Sequence, residues 1–234
     1  MSKIKLIGID ADDTLWHNER YYEAAQTHFV QLLCHYHPEE WIRERLFQTE
    51  TRNIQHFGYG IKAFVLSMIE TGVELTEGRI TGQDVGSLID VAHGMLNAKV
   101  ELLEQVAETL PTLAGSYHLA LITKGDLLDQ ENKVTRSGLG THFKDIEIVS
   151  HKTPETYARL LTRYHVTPEN FVMVGNSLRS DILPVLELGG TGIYIPYATT
   201  WQHEAADQPI TGTRGFYALA HFGQLPELLN SLEF

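Results

Sequence analysis

The sequence predicts a doubly wound (Rossmann-like) α/β core, a mainly parallel sheet with helices on both faces, interrupted by one inserted all-helical domain. Three observations carry this reading. From about residue 116 onward, short apolar runs alternate with helix-like segments, the rhythm of parallel strands joined by right-handed crossovers. One further strand-like run, IKLIGI at 4–9, stands alone near the start of the chain. Between them lies a long stretch, from Tyr21 to about Leu110, in which apolar residues recur three and four apart, as on an amphipathic helix.

Taken in order, residues 4–9 read as a buried strand. YYEAAQTHFVQLLCHY, EEWIRERLFQTETRNI and IKAFVLSMIETG then read as helices, with Pro38 suited to the start of the second. The stretch TGQDVGSLIDVAHGMLNAKVELLEQVAETLPTL continues in helical texture, with Gly86 and Gly94 as its weak points. HLALIT (118–123) is a strand, followed by the turn KGD and a helix rich in polar residues. IEIVS (146–150) and FVMVGN (171–176) are strands on either side of the helix PETYARLLTRYH (154–165), and SDILPVLELG leads as a helix to the strand GIYIPYA (192–198). The expected division is a core of 1–16 and 100–234 with an inserted helical domain of 17–99. No internal repeat or low-complexity tract interrupts it.

Composition narrows the function. With 234 residues, 43% of them hydrophobic, the chain can bury a generous core and disorder is not expected. A formal net charge of −12 argues against general affinity for nucleic acid or an anionic membrane, both of which need a basic footprint. A single cysteine, Cys34, excludes an intrachain disulfide and suits a reducing compartment. No apolar run approaches the roughly 18 residues of a membrane span, and the N-terminal run leads into acids rather than a cleavage site. A cytoplasmic protein, monomeric or homodimeric, is expected.

In an open α/β sheet, ligands bind at the carboxyl ends of the strands. Those ends carry Asp10 and Asp12, then Thr123, then Lys152, then Asn176 and Asp181. The first end, GIDADDTLW, packs Asp10, Asp12 and Asp13 together, and such carboxylates repel unless a cation faces them. Other residues invite a site reading less well. The CHYH stretch (Cys34, His35, His37) looks metal-like, but positions i and i+2 on a helix do not share a face, and a solvated helix end is the better reading. The helix-entry residues Trp16, His17, Asn18 and Glu19 fit substrate contact or a hinge, and WQHE (201–204) fits packing better than a site.

The ordered strand ends make the sequence resemble the haloacid dehalogenase-like hydrolase superfamily. The apolar strand ending in DxDxT corresponds to Asp10-Ala11-Asp12-Asp13-Thr14. LALIT with Thr123, followed by Lys124-Gly125-Asp126, corresponds to the second motif, Lys152 in SHKTPETY to the third, and Gly175-Asn176-Ser177-Leu178-Arg179-Ser180-Asp181 to the fourth. The resemblance implies a phosphatase-type member acting on a small phosphorylated metabolite, with the insertion as its helical cap. It implies Asp10 as nucleophile, Asp12 as proton carrier, and Thr123, Lys124 and Lys152 around the phosphate. It implies Mg²⁺ held by Asp10, the backbone carbonyl of Asp12, Asn176 and Asp181. A 2-haloacid dehalogenase, a phosphomutase and a catalytically retired phospho-ligand binding protein are the alternatives. Halide leaves without a proton or a metal, so Asp12 and the fourth motif argue against the first. Two positions depart from the family pattern: Asp13 stands where glycine is common, and Asn176 where a carboxylate usually meets the metal.

Overall fold

The computed structural model describes residues 4–199, 204, 206 and 212–232. The chain divides into two compact units, one of 1–19, 100–124 and 132–234, the other of 20–99 and 125–131. The short stretch 125–131, counted with the core from sequence, thus groups with the helical unit.

The first unit holds a six-stranded parallel sheet. Its strands are β1 (Leu6–Ile9), β2 (Leu119–Lys124), β3 (Asp145–Val149), β4 (Phe171–Gly175), β5 (Thr191–Tyr194) and β6 (Phe216–Ala218). They lie in the order β3-β2-β1-β4-β5-β6, so the winding reverses between β1 and β4. Such a reversal leaves a crevice where two strand ends have loops departing in opposite directions. β1 and β4 are buried along their whole length, as expected of strands covered on both faces.

Alternation of side chains sorts the sheet residues into two cores. Ile7, Ile9, Leu119, Leu121, Val172 and Val174 pack with Leu110 and Leu113 on one face. Leu6, Ala120, Ile122, Phe171 and Met173 pack with Tyr157, Leu160 and Leu161 on the other. Gly8 lies among the latter, where a Cβ would come within 2.8 Å of the Ile122 side chain and 2.9 Å of Met173 Sδ. Helices α5 (Val106–Ser116), α6 (Leu127–Ser137), α7 (Pro154–Tyr164), α8 (Leu183–Glu187) and α9 (Leu225–Leu232) follow the strands.

The helical unit comprises α1 (Glu19–Leu33), α2 (Glu39–Phe57), α3 (Ile61–Leu75) and α4 (Gly82–Asn97). Phe29, Leu33, Ile42, Leu46, Phe64, Met68 and Leu88 form its core. Thr81 and Asp84 exchange side-chain and backbone bonds as a capping box that starts α4, worth about 1 kcal/mol. Helix α1 ends before Cys34, which is exposed, and His37 Nε2 lies 2.9 Å from the Leu75 carbonyl. The CHYH stretch is therefore a helix-end turn.

The structure departs from the sequence reading in three places. The long helical stretch after Thr81 splits into α4 and α5, and the break is at neither Gly86 nor Gly94. It falls between them and α5, where His17 N–H donates to the Glu101 carbonyl at 3.0 Å and Leu103 N–H to the Leu15 carbonyl at 2.9 Å. The chain leaves the helix at Ala98, which has φ of −58° and ψ of 142°, before that backbone pairing begins. Strand β6 and helix α9 went unread, the strand because its three residues are only partly buried and show little alternation. The helix after Asn176 opens as a π-helical turn, Leu178–Ile182, before α8 begins. No helix among the described residues is long and apolar enough to cross a membrane.

Candidate active site

Strand β1 runs into Asp10 and β4 into Asn176, so the two residues stand side by side where the winding reverses. Asp10 N–H donates to the Val174 carbonyl at 2.9 Å, which fixes the junction. Immediately afterwards the chain turns back, with Leu15 N–H on the Ala11 carbonyl at 2.8 Å. Asp13 makes the turn with φ of +59°, a left-handed conformation that glycine takes freely and Asp tolerates better than most residues. Its carboxylate accepts from Asn18 N–H at 2.8 Å and from Glu19 N–H at 3.0 Å, capping the start of α1. Burial pushes this carboxyl up to about 7 against those two donors, with the Asp12 charge adding to the push. Asp13 thus supplies a cap that a glycine at this position could not.

The Lys152 ammonium contacts Asp10 Oδ1 and, at 2.6 Å, Asp181 Oδ1, and all three residues are buried. Burial disfavours its charged form, but the two carboxylates override that and raise its pKa. Burial pushes Asp10 up to about 6, opposed by Lys152 and reinforced by Asp181. Asp181 Oδ2 accepts from Ser177 N–H at 3.0 Å. This carboxylate fits only because residue 175 is glycine: a Cβ there would stand 2.2 Å from Asp181 Oδ2.

Thr14 donates its hydroxyl to Asp10 Oδ2 at 3.1 Å and accepts from the Asn176 backbone N–H at 3.1 Å. The terminus of the Asn176 amide lies 3.3 Å from Asp10 Oδ2 and 3.2 Å from the Asp12 carbonyl. The amide has two orientations of the same shape. With nitrogen inward it donates to these acceptors and to Thr14 Oγ1 at 3.3 Å; with oxygen inward it faces only other oxygens, an arrangement that a hard cation between them would satisfy. Among the described residues no three His, Cys, Asp or Glu side chains gather as a metal-binding group. The chemistry of the donors, one carboxylate, one backbone carbonyl and one amide, is of the kind a hard cation takes, while both Asp181 oxygens are held by Lys152 and Ser177 N–H.

The Asp12 carboxylate has donors of its own. Its Oδ1 accepts from the Trp16 indole N–H at 2.7 Å, and Lys133 Nζ reaches both oxygens at 2.8 and 2.9 Å. The Trp16 ring itself is buried in the sheet core. On the neighbouring strand, Thr123 is buried at the end of β2. Lys124, next in the chain, donates to Ser180 Oγ at 3.1 Å and pairs with Glu204, whose carboxylate also contacts the Ser177 and Ser180 hydroxyls. Burial, with the Lys152 charge nearby, pulls Lys124 down to about 8.

A family model, haloacid dehalogenase-like hydrolase, matches residues 4–189. The chain belongs to this family. A haloacid dehalogenase-like family hydrolase from Xanthomonas campestris superposes with a TM-score of 0.88 at 41% identity, covering 99% of this chain and 93% of that one. A glyceraldehyde 3-phosphate phosphatase from Pyrococcus furiosus is 25% identical over 100% of this chain and 95% of its own length. An L-2-haloacid dehalogenase from Xanthobacter autotrophicus, with chloropropionic acid covalently bound, shares the fold with a TM-score of 0.64 at 17% identity, over 97% and 98% of the two chains. The family establishes a hydrolase; a fold common to both chemistries does not choose between them.

The structure brings Asp10, Lys152 and Asp181 into one hydrogen-bonded set, joined by Asn176 through its backbone N–H on Thr14, with the Asp12 carbonyl 3.2 Å from the Asn176 amide and Lys124 donating to Ser180 beside Asp181. Two residues escaped the sequence reading. Lys133 lies on the polar helix α6, whose buried positions include Asp129, Gln130, Lys133 and Val134; an inward stripe so poor in apolar residues was the available signal. Glu204 belongs to WQHE, read from sequence as packing, and nothing local marks it. Trp201, Gln202 and His203 of that stretch lie outside the described residues.

Proposed function

We propose that this hydrolase is a Mg²⁺-dependent phosphatase of a small phosphomonoester metabolite, working through an aspartyl-phosphate on Asp10. The observation that carries the reading is a second carboxylate, Asp12, two positions beyond the first and held by its own donors, apart from Lys152. Ester cleavage needs such a proton carrier, whereas displacement of halide does not. Asp10 attacks phosphorus, the bond to the ester oxygen breaks, and Asp12 gives its proton to the departing alkoxide. Asp12 then takes a proton from the water that attacks the aspartyl-phosphate, releasing inorganic phosphate and restoring Asp10. Lys152 faces the charge that develops on the phosphoryl oxygens, and Thr123 and Lys124 border the same place from β2. Asp10, the Asp12 carbonyl, Asn176 and Asp181 would hold Mg²⁺, which when bound supplies positive charge to the phosphoryl group.

The test is phosphate release from an aryl phosphate and a panel of phosphometabolites, each with and without Mg²⁺. The activity named for the archaeal relative makes glyceraldehyde 3-phosphate a first member of that panel. Turnover that requires Mg²⁺ and disappears in Asp10→Asn supports the reading. Absence of turnover across the panel, or chloride release from a 2-chloro acid instead, overturns it.

A further inference from the structure

Lys133 matches none of the four motifs, yet it is only 8% exposed. Burying an ammonium costs several kcal/mol unless partners replace its water. Its partners include both oxygens of Asp12, at 2.8 and 2.9 Å, and Asn18 Oδ1 at 3.1 Å. The Trp16 indole N–H adds a further bond to Asp12 Oδ1 at 2.7 Å, and that ring is buried in the core. An aspartate has two side-chain torsions. A cation bridging both oxygens and an indole on one of them leave neither torsion free. The Asp12 side chain keeps 22% exposure while that of Lys133 keeps 10%, so of the two the carboxylate is the more accessible.

We propose that Lys133 is a positioning residue: it sets the orientation from which Asp12 delivers a proton to the leaving oxygen. Asn18 completes the arrangement, since its side chain accepts from Lys133 while its backbone N–H is held by Asp13. Lys133 is thereby tied to the turn that carries both acids. The assignment rests on Asp12 being the proton carrier, and it differs from a purely structural role in one consequence. A lysine that only sustained the fold would affect every phosphate ester alike. A lysine that aims Asp12 matters in proportion to how much the leaving group needs a proton.

The experiment is rapid-mixing kinetics of the first half-reaction with two substrates: p-nitrophenyl phosphate, whose phenolate leaves without a proton, and an alkyl monophosphate, whose alkoxide does not. Lys133→Met is expected to slow the alkyl ester on the order of 10²-fold, the usual weight of general-acid catalysis, and the aryl ester by no more than a few-fold. Lys133→Arg, which keeps a cation able to bridge a carboxylate, is expected to recover most of the alkyl rate. If Lys133→Met proves unfolded by circular dichroism, Lys133→Gln carries the same comparison. Asp12→Asn serves as the reference. When it discriminates between the two esters and the Lys133 variants slow both equally, the positioning role is overturned while the Asp12 assignment stands. When Asp12→Asn itself fails to discriminate, the proton-carrier reading falls, and the Lys133 proposal with it.

Discussion

Glu50 offers a prediction whose size follows from its surroundings. It lies on the buried face of α2 with Ile42, Leu46, Thr49 and Asn53, where helical spacing calls for an apolar side chain. Burial alone pushes its carboxyl from 4.5 up to about 8. Because the folded-state value is the higher one, the folded protein binds the extra proton between those two pH values. Stability is therefore full below about pH 4.5 and declines as pH rises toward 8. The loss approaches about 1.4 kcal/mol per pH decade, about 5 kcal/mol in total as an upper bound. Glu50→Gln keeps the shape and removes the titration. Urea denaturation followed by far-ultraviolet circular dichroism, at pH 5.5 and at pH 8.5, measures the difference. The wild type should lose several kcal/mol between the two conditions relative to the variant, and the variant should be the more stable protein at pH 8.5. Parallel pH dependence of the two proteins would refute the argument, because it would mean that Glu50 is ionised in the folded state at little cost.

Three further outcomes follow from the site. Asp10→Asn should lower turnover on the order of 10³-fold or more with an unchanged circular dichroism spectrum; substantial residual turnover would exclude it as nucleophile. Asn176→Asp adds a negative charge beside Asp10, so the metal-free protein should melt lower and gain more from added Mg²⁺ than the wild type. Identical Mg²⁺-induced shifts in melting temperature would remove position 176 from the ligand set. Gly175→Ala places a methyl group where Asp181 Oδ2 now lies, 2.2 Å away, and should cost activity on the order of 10²-fold through misalignment of Lys152; an unchanged rate would show that Asp181 does not steer that lysine.

Much of this molecule was legible in its letters because the relevant physics is local. Apolar runs of four to six residues with polar termini become strands, and strand ends collect ligands wherever parallel strands share a sheet. Asp10, Thr123, Lys152, Asn176 and Asp181 could therefore be picked out one by one. Their pairing required the strand order, since β1 and β4 become neighbours only when the winding reverses between them. The same holds for the segment between α4 and α5, whose backbone bonds reach residues 15 and 17 far back in the chain.

By itself the sequence determined the α/β core, its helical insertion and the residue types waiting at the strand ends. Periodicity and turn chemistry act within a few residues. Only the tertiary structure decided which donor each carboxylate meets. It separated Asp10, on Lys152, from Asp12, on Trp16 and Lys133, and gave Asp13 to the cap of α1. Three acids within four residues look alike in one dimension; burial and the partners that the fold brings to each make them different acids.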